Sequence, residues 1–128
     1  MNEHDILLIR ELTVSYEQQF LWYNQLRDLV QKILSRLILS RGDLNELMSG
    51  LEKKTKLMQY IENERIRTSD YVAQWQELKM RVAPCTETAE LNAVLEKTTN
   101  AIKGFLDEEE KLKKYLEGIV RKETAGKQ

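Results

Sequence analysis

His4 and Cys85 are the chain's only histidine and only cysteine. Together they could supply a thiolate–imidazole pair, but a reactive thiol needs an electropositive setting. The residues after Cys85, Thr86 and Glu87, do not provide one. A single cysteine removes any intramolecular disulfide and any Cys-rich zinc site, and a single histidine removes His-pair sites. The many glutamates raise a di-metal carboxylate centre. That chemistry needs Glu-x-x-His on inward helix faces, and the only histidine is residue 4. No Gly-rich phosphate loop and no interleaving of basic and aromatic residues is present, so neither nucleotide nor single-stranded nucleic acid has an evident site. Catalysis needs a base, a nucleophile and an orienting group in one concave site. The expectation is a protein that is not an enzyme, with no catalytic residue, no cofactor and no metal.

The remaining candidates are recognition residues. Arg41-Gly42-Asp43 spells an adhesion tripeptide. Gly42 as a left-handed helix terminator and Asp43 as the next N-cap explain it without a receptor. Tyr23, Tyr60 and Trp75 lie on or beside apolar stripes and are expected in the core. Trp22 lies off its stripe and is an interface candidate.

Any such residue must be positioned by helices. The 128 residues include 32% charged side chains, 7% aromatics, five Gly and one Pro. That composition fits long helices rather than a sandwich, a barrel or a Gly-rich nucleotide-binding domain. Twenty Lys+Arg against 21 Asp+Glu leave a formal charge of -1, which argues against a strongly basic nucleic-acid binder. No apolar run approaches the ~20 residues of a membrane span, and the N-terminal MNEHD lacks a positive signal region. The expectation is a cytoplasmic protein with no membrane insertion.

The periodicity predicts an all-α fold, an elongated antiparallel bundle of three long helices in one domain spanning 1–128. The first helix is expected over about 5–40, capped by Asp5, with the stripe Leu12, Tyr16, Phe20, Tyr23, Leu26, Val30, Ile33 and Leu37. The second is expected over 43–82, opened by a capping box of Asp43 and Glu46. Its seam can be written as two heptad sets: Leu44, Leu51, Met58, Arg65, Val72 and Lys79, or Leu47, Lys54, Ile61, Thr68, Trp75 and Val82. The polar run Glu62 to Asp70 should pack poorly or bend. Pro84 ends this helix. The third helix is expected over 87–121, capped by Thr86 or Thr88, with a frayed tail over 122–128.

The third helix carries the most informative pattern. Its stripe is Leu91, Leu95, Thr98, Ile102, Phe105, Leu112, Leu116 and Ile119, widened by Val94, Ala101, Leu106, Tyr115 and Val120. A face this broad can pack on two neighbours or leave a groove for another amphipathic helix. Leu95, Ile102, Phe105, Leu112 and Leu116 are the candidate partner contacts. A homodimer seam is the competing use of the same face.

The segments YEQQFLWYNQLRDLVQKILSRLILSRGD and DLNELMSGLEKKTKLMQYIENER, followed by LNAVLEKTTNAIKGFLDEEEKLKKYLEGI, resemble the FlgN/FliT-type flagellar export chaperones of type III secretion. The likeness lies in a long first helix, a Gly-Asp turn, a Leu-rich start to the next helix and an amphipathic last helix. The resemblance implies a cytoplasmic chaperone with no cofactor. Its partners would be an amphipathic helical segment of a secreted filament-junction or cap protein, whose premature assembly it prevents, and the export apparatus. The alternative is a structural coiled-coil adaptor or stalk that forms a homodimer.

Overall fold

The structure is a computed structural model that describes the backbone of residues 1–126 and the side chains of residues 1–122. It is all-helical, and no strand occurs among the described residues. Four helices, not three, follow in the order α1 (Glu3–Ser40), α2 (Leu44–Arg67), α3 (Ser69–Leu78) and α4 (Thr86–Gly126).

α1 starts one turn-fragment earlier than expected, because Asn2 rather than Asp5 is the N-cap. The Asn2 side chain accepts from the Asp5 N–H at 2.8 Å. α1 ends in a 6→1 and 5→2 pair of hydrogen bonds, Gly42 N to Leu37 O at 2.8 Å and Arg41 N to Ile38 O at 3.3 Å. Arg41 itself is left-handed (φ 57°) and Gly42 follows at φ 96°. The left-handed terminator is therefore shared by both residues, and only the second is free of a Cβ penalty. Asp43 caps α2 by accepting from the Asn45 N–H at 2.9 Å. Glu46 does not close the capping box; it turns to Arg36 on α1.

The long second helix is interrupted at Thr68. This residue is buried, and its hydroxyl donates to the Glu64 carbonyl at 2.9 Å, while Ser69 Oγ donates to the Ile66 carbonyl at 2.9 Å. Two consecutive hydroxyls competing for helix carbonyls bend the backbone there. The helix stops at Leu78, short of Val82, because Lys79, Met80 and Arg81 have nothing apolar to bury; Met80 is 81% exposed. Cys85 sits where α4 starts, and Thr88 Oγ1 accepts from its N–H at 2.9 Å. α4 continues to Gly126, past the expected end at Arg121. Part of the expected frayed tail is thus helical, and residues 127 and 128 lie outside the described ones.

α1 is the central element. The pairs Arg36–Glu46, Trp22–Tyr60 and His4–Gln74 run in opposite senses, so α2 and α3 return along α1. The pairs Arg10–Glu87, Tyr16–Thr98, Tyr23–Phe105 and Leu37–Tyr115 rise together, so α4 runs parallel to α1. Two apolar clusters fill the interior. One joins Leu8, Ile9, Leu12, Trp75, Leu91 and Val94. The other joins Leu26, Val30, Ile33, Leu37, Leu47, Ile61, Phe105 and Leu112.

Candidate partner-binding site

Beyond Thr88 in its first turn, the buried residues described in α4 are Leu91, Val94, Thr98, Ala101, Phe105, Glu108 and Leu112. Their spacing alternates three and four, which is a heptad seam, and that seam is turned onto α1. A second row, Leu95, Ile102, Glu109 and Leu116, lies beside the first and is half-buried. A third row, Leu106, Lys113 and Val120, is exposed, with Leu106 at 53% and Val120 at 61%. The broad apolar face is thus three adjacent rows, one buried, one half-buried and one exposed.

α2 and α3 reach the second row through side chains only: Leu95 packs on the cluster that holds Trp75, Leu116 on the one that holds Leu47 and Ile61, and Glu109 pairs with Lys54. Among the described residues, no α-carbon of α4 comes within 8 Å of one on α2 or α3. Both legs lean on α1 and meet each other through side chains rather than by close backbone approach, leaving a seam with α1 beneath it. Near the end of α4 the seam opens into a cleft of about 740 Å³ walled by Leu51 and Lys54 of α2 and by Leu106, Leu112, Leu116 and Val120 of α4. Glu110, Lys113, Glu117 and Arg121 form its charged edge. These four alternate in sign at helical spacing, so they neutralise one another. Farther along, a second cleft of about 620 Å³ lies between Tyr16, Gln19 and Tyr23 of α1, Glu62 to Val72 of α2 and α3, and Leu95 and Ile102 of α4. The ion pair of Lys54 with Glu109 bridges the two walls of the first cleft.

The five predicted contacts divide accordingly. Leu95 and Ile102 line the second cleft, and Leu116 lines the first. Leu112 is 5% exposed, in the core and at the base of the first cleft. Phe105 is 3% exposed and its ring packs on Tyr23, with centroids 6.1 Å apart. It holds α4 to α1 and presents no surface. Leu51, Leu106, Val120 and Gln19 belong to the clefts and were not among the predicted contacts. The i,i+7,i+14 recurrence of Leu106, Lys113 and Val120 was the available signal for the outer row. Gln19, a polar residue within an apolar seam, gave none.

Trp22, expected at an interface, is half-buried against Tyr60, with ring centroids 5.9 Å apart. Cys85 is half-buried and bonded to Thr88, and His4 pairs with Gln74 at 3.3 Å. Each is thus engaged in a local contact of a different helix start. A hydrogen bond from its own backbone N–H, and then one from the Cys85 side chain, hold the Glu87 carboxyl below its usual range. Among the described residues, no group of three or more His, Cys, Asp or Glu side chains could hold a metal ion, and no helix is long and apolar enough to cross a membrane. Tyr16 and Tyr23, in the second cleft, have phenols raised above their ordinary value by burial, opposed by the nearby Arg65 guanidinium.

Comparison with protein-family models, with curated proteins and with solved structures finds no match to this chain.

Proposed function

We propose that this chain is a helix-binding export chaperone of the FlgN/FliT type, acting in the cytoplasm. Its seam receives an amphipathic helical segment of a secreted flagellar filament-junction or cap protein and keeps that segment from assembling early. The observation that carries the reading is the wide spacing of α4 from α2 and α3, no α-carbon of one coming within 8 Å of the other, which leaves Leu106 exposed and Leu116 half-covered along the first cleft. α1 borders both legs, so a helix laid in the seam would complete a four-helix arrangement of the kind that buries all its apolar rows. Each Leu or Val so covered contributes about 1.5–3 kcal/mol before ordering costs. No chemical step is needed, and delivery to the export apparatus follows from release of the same segment.

The test is capture of the C-terminal helical segment of a hook–filament junction protein by the full chain. Leu106→Asp with Val120→Asp, both at exposed positions, should abolish capture while circular dichroism stays helical. Undiminished capture by a folded double variant would show that the segment does not use the seam.

The homodimeric adaptor is supported by a different feature. Leu44, Met48 and Met58 of α2 are 64%, 58% and 46% exposed at near-heptad spacing, a row that a second copy could cover. It predicts a sedimentation coefficient that rises with protein concentration and a Met48→Asp variant that stays monomeric.

A further inference from the structure

Leu7, Val14 and Leu21 recur at i, i+7 and i+14 on α1 and are 61%, 68% and 51% exposed. At 3.6 residues per turn they fall on the side of α1 away from the buried Leu12 and Leu26, and so away from the seam. The next two positions of the row are Asp28 and Ser35, so its apolar part ends at Leu21 and is centred on Val14. Exposed apolar side chains scattered singly need no explanation, but a heptad row is the pattern of a paired helix. Two polar edges border this one. Arg10 and Glu17 lie on the α4 side, pairing with Glu87 at 3.8 Å and with Lys97 at 2.9 Å. Glu11 lies on the other side, 4.0 Å from Arg67, and Gln18 follows it one heptad on.

We propose that this row pairs with the same row of a second copy of the chain, antiparallel about a two-fold axis at Val14. The row reads Leu-Val-Leu in either direction. Antiparallel pairing therefore sets Leu7 against the partner's Leu21, and Val14 against its own equivalent. A self-complementary contact of this kind closes at two chains. The charges choose the direction. Antiparallel pairing sets Arg10 across from the partner's Glu17 on one edge, twice by symmetry, and Glu11 across from the partner's Gln18 on the other. Parallel pairing in register would set each of Arg10, Glu11 and Glu17 against its own equivalent, and like charges flanking a helical seam repel. A second copy carries the matching pattern by construction, whereas any other helix would have to reproduce it. So short a row makes a small interface, with a dissociation constant on the order of 10–100 µM. The contact is separate from the Met48 row of α2. It leaves two seams open, facing apart, and it stands whether or not a seam binds a helix.

Sedimentation equilibrium of the full chain should show the mass rising from one chain towards two between about 1 and 300 µM. Val14→Asp sets two carboxylates against each other on the axis and should raise the dissociation constant about 100-fold. Circular dichroism should stay helical, since the position is exposed. Met48→Asp should leave the dimer unchanged. The direction is read by oxidising single-cysteine variants in a Cys85→Ser background. Val14→Cys should cross-link to itself. Leu7→Cys mixed with Leu21→Cys should form the mixed disulfide in preference to either self-disulfide. Preferential self-cross-linking of Leu7→Cys would make the pair parallel and overturn the proposal. A monomer across the whole range would also overturn it and assign the row to a helix from another protein. So would a dimer lost in Met48→Asp and kept in Val14→Asp, which moves the contact to α2.

Discussion

Gly50 and Gly118 both interrupt helices, yet their surroundings assign them opposite roles. A Cβ on Gly50 would lie 2.4 Å from Ile33 Cγ1, whereas one on Gly118 meets nothing within 4 Å. At Gly50 α2 packs directly on the Ile33 side chain of α1. Gly50→Ala should destabilise, since overpacking costs about 1–3 kcal/mol and the helix propensity gained returns only about 1 kcal/mol. Gly118→Ala should stabilise by about 0.5–1 kcal/mol. Urea titrations of the two variants check the pair, and a stabilised Gly50→Ala would mean that Ile33 re-packs freely. Glu108 is the other residue whose setting decides its contribution. It occupies the α1-facing seam of α4, is 8% exposed, and bonds Lys111 at 3.1 Å. A hydrogen bond from Gln31, then Lys111 and the charge of Arg27, hold its carboxyl below the ordinary 4.5. A depressed folded-state value means that its stabilising contribution is present above that ordinary value and lost as pH falls through the folded one. The stability gap between wild type and Glu108→Gln should therefore be largest near pH 7 and close in acid. A gap that is constant with pH would show that the carboxylate charge contributes nothing.

The elements show how far periodicity carries and where it stops. The apolar spacing of α1 and α4 is long and regular, and it specified their existence, direction of burial and most of their core residues. α2 and α3 were ambiguous, because both heptad sets of that segment mix apolar and polar residues. The structure selects the set Leu47, Ile61, Thr68 and Trp75, all buried, and leaves Leu44 and Met58 exposed. The polar run from Glu62 to Asp70 signalled a weak point. Its placement at Thr68 depends on that hydroxyl finding the Glu64 carbonyl in a buried setting, which a pattern of polarity does not encode. On α4 the breadth of the apolar face was legible, but the division into covered and open rows was not, since that depends on how far α2 stands away. Phe105 and Leu106 make the distinction measurable because they are adjacent in sequence and fall on different rows. Phe105→Ala should cost about 3–5 kcal/mol of stability, as a buried aromatic does. Leu106→Ala should stay within about 0.5 kcal/mol, as exposed positions do, while weakening capture of the partner segment. Equal stability losses in urea would place Leu106 in the core and close the seam.

At the scale of the whole molecule, stability is distributed by contact with α1. α4 lies along α1 over most of its length, with Lys97 pairing Glu17 at 2.9 Å and standing 4.6 Å from the Phe20 ring centroid. α2 is anchored to the same helix through Leu47, Gly50 and Ile61. α3 is different. It has ten residues, one buried side chain in Trp75, and an N-terminus at Thr68 with no side-chain cap. An isolated helix of that length is far too short to persist on propensity, so α3 stays folded through its packing on the cluster of Leu8, Leu12 and Leu91, with Trp75 buried in it and Tyr71, Val72 and Leu78 against it. Its opening would remove the Val72 wall of the second cleft without disturbing the larger cluster around Phe105. Native-state hydrogen exchange should therefore show α3 amides exchanging on the order of 100-fold faster than those around Leu26 and Val30 of α1, through a sub-global opening that spares the rest. Filling the seam adds a neighbour to that wall, so α3 protection should rise on binding a partner helix more than protection anywhere in α1. Exchange of α3 and α1 at one common rate, with no gain on binding, would show that the molecule opens only as a unit and that the cleft beside Thr68 takes no part in recognition.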